Sequence, residues 1–453
     1  MINNNEKGKL CAPFMVSKHN IYYKELLNVR KVDVNMKSYI VEGGHCLKGE
    51  VSVSGSKNAA LPIIAATLLN RGISTLYHVP KIHDTKIMLE ILEILGCQIH
   101  INSDKIVIDS SKVDRYEIPE CLMREMRSSV ILAGAIIGRY KRARFSYPGG
   151  CDIGARPIDL HLEAFKKMGI EIEEESGFIH CSCDKITGAE IALDFPSVGA
   201  TENIILAAVL AEGKTVIKNA AMEPEIIDLQ NFLNEMGACV SGAGTKEIEI
   251  IGVSELHQVT YKVMPDRIEA GTLLCAAAIT GGDVVIKEVN TDHLTPVIHK
   301  LEECGCEFQI FPEELYIKAP QRLKAVDIKT MPYPGFPTDM QSIFSSILTN
   351  AKGTSVIIEN IFENRYKYTS ELKRMGAKIT IEGKTAVIKG VKKLSGTSVN
   401  STDLRGGAAL VIAGLVAKGE TKINHIEYIL RGYENLDEKL RKLGANIRKE
   451  EGE

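Results

Sequence analysis

The sequence predicts an α/β protein built from six copies of one unit. The first observation is a glycine that follows the end of an amphipathic helix and precedes an alternating strand, as in LEILGCQIHI (92–101). Such a glycine supplies the left-handed position just past a helix. The six glycines are Gly96, Gly169, Gly237, Gly305, Gly376 and Gly444, at intervals of 73, 68, 68, 71 and 68 residues. Even spacing of this kind marks an internal repeat.

Two further observations complete the unit. An alanine-rich apolar helix ends before a short strand in each copy, as in LAEGKTVI and VAKGETKI. A strand, a turn and a second strand then follow each helix-end glycine and lead into the next helix. Only nine residues follow Gly444, too few for this last element, whereas residues 39–58 have its form. We therefore expect the N-terminal strands to complete the sixth unit.

Six units suggest two domains of three units, with the chain crossing between them near Ser54–Lys57 and Met264–Asp266. The predicted first domain is 57–264, and the second combines 36–56 with 265–453. Residues 1–35 are polar and match no repeat. They are interpreted as an N-terminal extension that is disordered, as chain ends outside a packed unit often are.

Composition narrows the class of protein. Lys and Arg total 55 against 58 Asp and Glu, a net charge of -3, which argues against a nucleic-acid partner because such proteins are basic. No apolar run approaches the roughly 18–20 residues that cross a bilayer, and the first residues lack the apolar core of a signal peptide. The 11 cysteines of this long chain suit reduced thiols. These features predict a cytoplasmic protein without a membrane partner.

Polar clusters recur where each unit enters its first helix. They are SGSKN (54–58), REMRSS (124–129), PSVGAT (196–201), PDRIEAG (265–271), PTDMQS (337–342) and STDLRGG (401–407). Helix N-termini attract anions through their N–H groups and partial positive charge. Full charges come from Lys57, Arg127 and Arg405 in these clusters, and from Arg156, Arg365 and Arg431 before second helices. One arginine alone would be an ordinary surface charge, but the set predicts an anion-binding cleft between the domains.

Cys151 lies between Pro148-Gly149-Gly150 and a second glycine-containing stretch that ends at Arg156. A lone cysteine is usually packing, but glycines on both sides predict a loop that closes over a ligand, and a nearby arginine favours the thiolate. The other cysteines are interpreted as structural. The spacing of Cys181 and Cys183 is too narrow for a usual zinc site, so no metal site is expected. The sequence also has neither of the common glycine-rich nucleotide loops.

The order and combination of several motifs resemble the enolpyruvyl transferase family, in particular its members that act on UDP-N-acetylglucosamine. The resemblance runs from about Met36 to the C-terminus. The motifs are GSKNAALP (55–62), MRSS (126–129), PGGCDIGARPIDLH (148–161), PSVGATEN (196–203), PDRIEAGT (265–272), FPTDMQ (336–341), ENRY (363–366), TDLRGGAALV (402–411) and RGYE (431–434). The fold implied is an inside-out α/β barrel of two domains, each with three βαβαββ units.

The activity implied is transfer of the enolpyruvyl group of phosphoenolpyruvate to the 3′-hydroxyl of UDP-N-acetylglucosamine, with release of phosphate and without a cofactor. This is the first committed step of peptidoglycan synthesis, and so serves cell-wall biogenesis, cell shape and cell division. The resemblance makes Cys151 the general acid, a site for a phosphoenolpyruvate-derived adduct and the target of fosfomycin. Asp339 would accept the hydroxyl proton.

The resemblance also assigns binding residues. Those for phosphoenolpyruvate are Lys57, Asn58, Arg156 and Arg431, of which Lys57 and Arg431 also count as catalytic. Those for the sugar nucleotide are Arg127, Arg156, Pro157, Ile158, Asp159, Leu160, Ser197, Val198, Gly199, Asp339 and Ile361. Asp403, Arg405 and Arg365 would support the cleft.

One departure and three alternatives remain. Phe195 stands where some family members have a lysine, so a contact to the sugar nucleotide is lost there. The sister 5-enolpyruvylshikimate-3-phosphate synthases lack the PGGC loop. RNA 3′-terminal phosphate cyclases share the fold, but the net charge of -3 argues against that activity here. A non-catalytic repeat scaffold would not need Cys151, Asp339 and the arginine set.

Overall fold

The structure, a computed structural model, describes residues 37–149 and 158–451. Its fourteen α-helices in these ranges are α1 (Lys57–Ala66), α2 (His83–Leu95), α3 (Glu120–Glu125), α4 (Leu132–Tyr140), α5 (Asp159–Lys167), α6 (Val198–Ala208), α7 (Pro224–Glu235), α8 (Arg267–Thr280), α9 (Thr295–Glu303), α10 (Gln341–Leu348), α11 (Thr369–Arg374), α12 (Leu404–Gly414), α13 (Glu427–Leu430) and α14 (Leu436–Lys442). Short 3-10 helices cover Thr67–Leu69, Arg127–Ile131, Thr291–Leu294 and Thr338–Met340.

The strands of the same ranges are β1 (Ser38–Glu42), β2 (Lys48–Ser52), β3 (Ile73–Tyr77), β4 (Gln98–Ile101), β5 (Lys105–Asp109), β6 (Arg142–Ser146), β7 (Glu171–Glu175), β8 (Phe178–Ser182), β9 (Glu190–Ala192), β10 (Lys214–Lys218), β11 (Cys239–Ser241), β12 (Glu247–Ile251), β13 (Val259–Lys262), β14 (Asp283–Lys287), β15 (Glu307–Phe311), β16 (Glu314–Lys318), β17 (Ile328–Lys329), β18 (Thr354–Ile358), β19 (Lys378–Glu382), β20 (Thr385–Lys389), β21 (Leu394–Ser395), β22 (Ser398–Asn400), β23 (Ala417–Lys418), β24 (Glu420–Asn424) and β25 (Asn446–Glu450).

The repeat is visible in the sheets. Five four-stranded sheets share one order, in which an edge strand runs parallel to its neighbour and the other pairs are antiparallel; they are β13-β3-β5-β4, β9-β10-β12-β11, β2-β14-β16-β15, β17-β18-β20-β19 and β22-β24-β1-β25. The remaining unit has the order β6-β8-β7, with a parallel bridge from Glu117 to Arg144 in place of the edge strand. All six predicted helix-end glycines have positive φ, from 82° at Gly169 to 114° at Gly96, which confirms their role.

The N-terminal strand β1 lies inside the sixth sheet, between β24 and β25. Ser38 is opposite Asn424 on one side and Glu450 on the other, and both pairings are antiparallel. This confirms that the N-terminal strands complete the sixth unit, as the short tail after Gly444 indicated.

Two strands join the sheets of the opposite half of the chain. Strand β2 precedes α1 but pairs with β14, and β13 precedes α8 but pairs with β3. The buried apolar side chains form two separate cores, one drawn from 59–263 and the other from 39–53 together with 268–447. The division into domains 57–264 and 36–56 plus 265–453 stays a prediction, which the two cores support.

The first helix of each unit lies in the interior. Every residue of α12 is buried, as is every residue of α8 except Thr280, and the two helices contact each other and α10. In the other core α4 packs against α1 and α6. Because the helices are apolar nearly all round, they are stable only where they are covered on all sides, which places helices inside and sheets outside.

The longest helix of the described ranges, α8, has 14 residues, about 21 Å at 1.5 Å per residue. No helix of these ranges is long and apolar enough to cross a membrane.

The crossing segments are hydrogen-bonded to each other. Ser56 N donates to Met264 O at 2.7 Å, and Asp266 N donates to Ser54 O at 2.9 Å. Between them, a Cβ at Gly55 would lie 1.6 Å from His78 O, so only glycine fits there. The carboxylate of Asp266 then serves two helices, because Oδ1 accepts from Ile268 N and Glu269 N in α8, while Oδ2 accepts from Lys57 N in α1 at 3.2 Å.

Candidate active site

A buried carboxylate joins two of the predicted anion-binding cations. Asp84 is 1% exposed, and its Oδ2 lies 3.0 Å from Lys57 Nζ while its Oδ1 lies 2.8 Å from Arg431 Nε. Burial alone would raise the pKa of Asp84, but the two cations outweigh it and lower that pKa below its ordinary value. The three groups form a charged cluster between α1, α2 and the segment before α14.

Asp339 lies between two further predicted arginines. Its Oδ1 accepts from Arg365 Nη2 at 2.8 Å, and its Oδ2 accepts from Arg405 Nη2 at 3.0 Å and Nε at 3.3 Å. Burial raises the pKa of Asp339, but Arg405, Arg365 and then Lys57 outweigh it and hold the pKa far below its usual range. Asp339 is therefore ionised, and Lys57 links it electrostatically to the Asp84 cluster.

Arg405 is fixed by its surroundings. Asp403 Oδ1 accepts from Arg405 N and Gly406 N, which caps α12, and the guanidinium lies 5.1 Å from the ring centre of Tyr433. The Tyr433 hydroxyl in turn lies 2.9 Å from Thr272 Oγ1 on α8. The side chain of Arg405 is thus held in place before any ligand arrives, which is the condition for electrostatic stabilisation without rearrangement.

A second group surrounds His161 at the start of α5. Asn203 Nδ2 donates to His161 Nδ1 at 2.7 Å and to Val130 O at 3.0 Å, and Asn203 Oδ1 accepts from Gly134 N at 2.7 Å. His161 Nδ1 is therefore an acceptor and the ring is neutral. These bonds connect α5, α6 and α4 at the ends that carry the predicted sugar-nucleotide residues.

The imidazole lies against one of those predicted residues and feels the charge of another. A Cβ at Gly199 would lie 3.2 Å from His161 Cε1, so the first turn of α6 sits directly against the ring. Burial, with a smaller effect from the charge of Arg127, lowers the pKa of His161 from 6.5 to about 4.

We expect the free energy of unfolding to fall as the pH falls from about 6.5 to about 4. In this window His161 becomes protonated in the unfolded chain but not in the folded protein. The free energy of unfolding therefore falls by on the order of 3 kcal/mol. Denaturant titrations at several pH values would test this for wild type and His161→Gln, which keeps an acceptor for Asn203 without titrating. The variant should show a smaller loss between pH 7 and pH 4, and equal losses would contradict the assignment.

The other predicted site residues make fewer contacts with the two groups described above. The side chain of Ile158 is 1% exposed and packs in the first core, whereas Asp159 is exposed and Leu160 half-buried. Ser197 caps α6 by accepting from Ala200 N at 3.3 Å. Ile361 N donates to Glu359 Oε1 at 2.8 Å, beside the Asp339 group. Asn58 is half-buried in the first turn of α1.

Three predicted residues, Cys151, Arg156 and Pro157, lie outside the described ranges, as does the extension 1–35. Val198 and Gly199 follow Ser197 in the first turn of α6 and are half-buried. Within the described ranges, no group of three His, Cys, Asp or Glu side chains could hold a metal ion.

Sequence reasoning missed Asp84, His161 and Asn203. Asp84 is in the first turn of α2, the second helix of its unit. At the corresponding place in other units the sequence analysis considered only arginines. His161 and Asn203 stand inside the motifs PGGCDIGARPIDLH and PSVGATEN, so the signal was present, but nothing in the sequence pairs one with the other.

Comparison with known proteins shows the family and the fold of the chain. The family model described as EPSP synthase (3-phosphoshikimate 1-carboxyvinyltransferase) matches residues 41–440. UDP-N-acetylglucosamine 1-carboxyvinyltransferase 2 of Caldanaerobacter subterraneus subsp. tengcongensis is 54% identical over 413 residues, which cover 91% of this chain and 99% of that protein. The chain belongs to the enolpyruvyl transferase family. A further member, UDP-N-acetylglucosamine 1-carboxyvinyltransferase of Geobacter metallireducens, is 49% identical over 414 residues, covering 91% of this chain and 99% of its own.

Solved structures of enolpyruvyl transferases share the architecture. The enolpyruvyl transferase NikO from Streptomyces tendae superposes with a TM-score of 0.84 at 25% identity, covering 92% of this chain and 100% of that one. An EPSP synthase from Acinetobacter baumannii gives a TM-score of 0.71 at 19% identity, covering 92% and 100%. The second likeness concerns the fold alone. Together with the interior helices, these neighbours confirm the predicted two-domain, inside-out α/β fold.

Proposed function

We propose that the chain transfers the enolpyruvyl group of phosphoenolpyruvate to the 3′-hydroxyl of UDP-N-acetylglucosamine and releases phosphate. The observation that carries the proposal is the agreement of relatives that are 49% to 54% identical over 91% of the chain and that bear the name of this activity. The charged clusters of the candidate site supply the electrostatics that two anionic substrates need.

Lys57 and Arg431, with Arg156, are proposed to bind the phosphate and carboxylate of phosphoenolpyruvate, and Asn58 to contribute a polar contact. Support comes from the 2.8 Å and 3.0 Å contacts that already place Lys57 and Arg431 on one carboxylate. Cations fixed in position by a carboxylate can stabilise the negative charge that develops on the phosphate as it leaves.

The sugar nucleotide is proposed to bind at the ends of α5 and α6. Arg127, Asp159 and Leu160 are proposed to act there with the first turn of α6 from Ser197 to Gly199, which lies against His161, and helix N-termini favour a diphosphate. Arg156, Pro157 and Ile158 complete this side, with Ile158 acting through its main chain because its side chain is in the core. Ile361 and Asp339 would bind the sugar from the other domain.

The reaction is an addition followed by an elimination. A proton is added to C3 of phosphoenolpyruvate, and the sugar 3′-oxygen forms a bond to C2 as it loses its own proton. A C3 proton then leaves, the double bond reforms, and the bond from C2 to the phosphate oxygen breaks. Cys151 is proposed as the donor to C3, while Asp339 receives the hydroxyl proton.

The low pKa of Asp339 makes it a weak base for a free alcohol, since proton transfer is most efficient when the pKa lies near the working pH. In the resting site it would instead accept a hydrogen bond from the 3′-hydroxyl and orient the oxygen. The hydroxyl becomes far more acidic once its oxygen bonds to C2, and the transfer to Asp339 becomes favourable at that stage. Arg365 and Arg405 hold the carboxylate for this step.

Further parts of the proposal follow from this chemistry. The product would serve peptidoglycan synthesis, and through it cell-wall biogenesis, cell shape and division. We place the reaction in the cytoplasm because both substrates are highly charged and do not cross membranes. The nucleophilic thiol of Cys151 makes it the proposed target of fosfomycin and a site for an adduct derived from phosphoenolpyruvate.

A phosphate-release assay with two acceptors tests the proposed function. Purified protein and phosphoenolpyruvate should release phosphate with UDP-N-acetylglucosamine and yield a product whose mass corresponds to the enolpyruvyl ether. Shikimate 3-phosphate, the acceptor of the sister enzymes, should give none. Turnover with shikimate 3-phosphate alone, or with neither acceptor, would overturn the proposal.

A further inference from the structure

We propose that Asp84 is a positioning residue that sets the spacing of Lys57 and Arg431 across the domain junction, and thereby the affinity of the site for the phosphate of phosphoenolpyruvate. The inference rests on the proposed function, because it takes Lys57 and Arg431 as the phosphate-binding pair. It adds a residue that neither the sequence motifs nor the relatives' names assign.

The contacts of Asp84 extend over the junction. Its two carboxylate oxygens take one cation each, Lys57 from α1 and Arg431 from the segment before α14. Arg431 is 347 residues away in sequence, and the two cations belong to different predicted domains. One side chain therefore contacts two cations that belong to different predicted domains, and it favours a fixed distance between them.

The local structure of α2 does not use the carboxylate of Asp84. The start of this helix is closed by Thr85, whose Oγ1 accepts from Ile82 N at 3.3 Å and donates to Pro80 O at 2.7 Å. An aspartate in the first turn commonly stabilises its own helix through the helix dipole, but here both oxygens also pair with cations from elsewhere. The charge of Asp84 is thus directed at the candidate site and not at the helix that carries it.

Burial makes this arrangement specific. Taking a carboxylate out of water is unfavourable unless it is paired with good geometry, and the side chains of Lys57 and Arg431 are each only 13% exposed. Without the negative charge of Asp84, the two cations would repel each other in a poorly screened environment. They would then separate, and a phosphate could no longer contact both from one position.

Asp84→Asn removes the charge and keeps the shape. We expect the KM for phosphoenolpyruvate to rise about 100-fold, the size of effect expected when a bound anion loses a charge-assisted contact, while the KM for UDP-N-acetylglucosamine changes less than about threefold because none of its proposed binding residues contacts Asp84. Asp84→Glu should restore part of the affinity, since it returns the charge at a slightly longer reach.

The matched control is Asp437→Asn. Asp437 is also a first-turn aspartate, 8% exposed, and it pairs with Arg441 at 3.0 Å and accepts from the Tyr39 hydroxyl at 3.3 Å. Neither of these partners belongs to the candidate site. We expect its substitution to lower the thermal midpoint and to leave both KM values within about twofold, so that a loss of stability alone is distinguished from a loss of positioning.

Calorimetric titration of phosphoenolpyruvate into wild type and Asp84→Asn, with UDP-N-acetylglucosamine absent, tests the inference without turnover. Binding that is weakened about 100-fold in the variant supports the positioning role. Equal binding in the two proteins, or a KM increase that is the same for both substrates, would overturn it. Failure of wild type to form product while phosphoenolpyruvate binding still depends on Asp84 would count against the proposed function instead.

Discussion

Replacing Asp339 with asparagine is expected to lower kcat by about 100-fold or more, the range over which a positioned proton acceptor contributes. The substitution keeps the size of the side chain and an acceptor oxygen, but it cannot take a proton and no longer neutralises Arg365 and Arg405. Steady-state kinetics with both substrates would measure the effect. The KM for UDP-N-acetylglucosamine should rise less than kcat falls, because the acceptor matters most in the transition state.

The pH profile gives a second test. The pKa of Asp339 is held far below its usual range, so its carboxylate stays charged at the mildly acidic to neutral pH of an activity assay. An acid limb in the wild-type profile should therefore come from another group and should persist in Asp339→Asn.

Glu420→Gln is a control, since Glu420 pairs with Arg448 at 3.0 Å on an exposed surface and should have no kinetic effect. If Asp339→Asn keeps a near-normal kcat and only binds the sugar nucleotide more weakly, Asp339 is a binding residue and not the proton acceptor.

Replacing Cys151 with serine is expected to abolish most turnover, because a hydroxyl is a far weaker acid than a thiol. Cys151→Asp should retain turnover with an optimum at lower pH, because a carboxyl group titrates below a thiol. The same variant should resist fosfomycin, since it has no nucleophilic sulfur. The measurements are a pH–rate profile and a time course of inactivation for the three proteins.

Alkylation of wild type should be much faster with UDP-N-acetylglucosamine bound, because we expect the sugar nucleotide to close the cleft. Cys239, exposed on β11, provides the matched control, since Cys239→Ser should react and turn over like wild type. Inactivation of Cys151→Asp at the wild-type rate would show that the reactive group lies elsewhere.

The repeat, the helix-end glycines and the place of β1 could be read from the sequence because each depends on local chemistry. A glycine just past a helix indicates a left-handed backbone conformation at that residue. A C-terminal tail too short for two strands implies that another part of the chain supplies those strands. The cationic side chains were also visible, since each stood at the same place in its unit. Local sequence signals of this kind can be recognised even when the units that contact each other are far apart in the sequence.

Partnerships between distant side chains were not readable in the same way. Nothing in the residues around position 84 indicates that Asp84 will meet Arg431, because that contact depends on the relative placement of two domains. The pairing of His161 with Asn203 likewise depends on how α5 packs on α6. Ile158 illustrates the converse, since its motif indicated a ligand contact while its side chain packs in the first core.

The double crossing of the chain has a mechanical consequence. A single linker would let one domain swivel about its bonds, but here two segments pass side by side and are joined by hydrogen bonds of 2.7 Å and 2.9 Å. Two adjacent attachments permit bending about the line that runs through them and oppose twisting around it. Relative motion of the two predicted domains would then be restricted to one angular coordinate, and any opening would carry Arg431 away from Lys57 and back along the same arc.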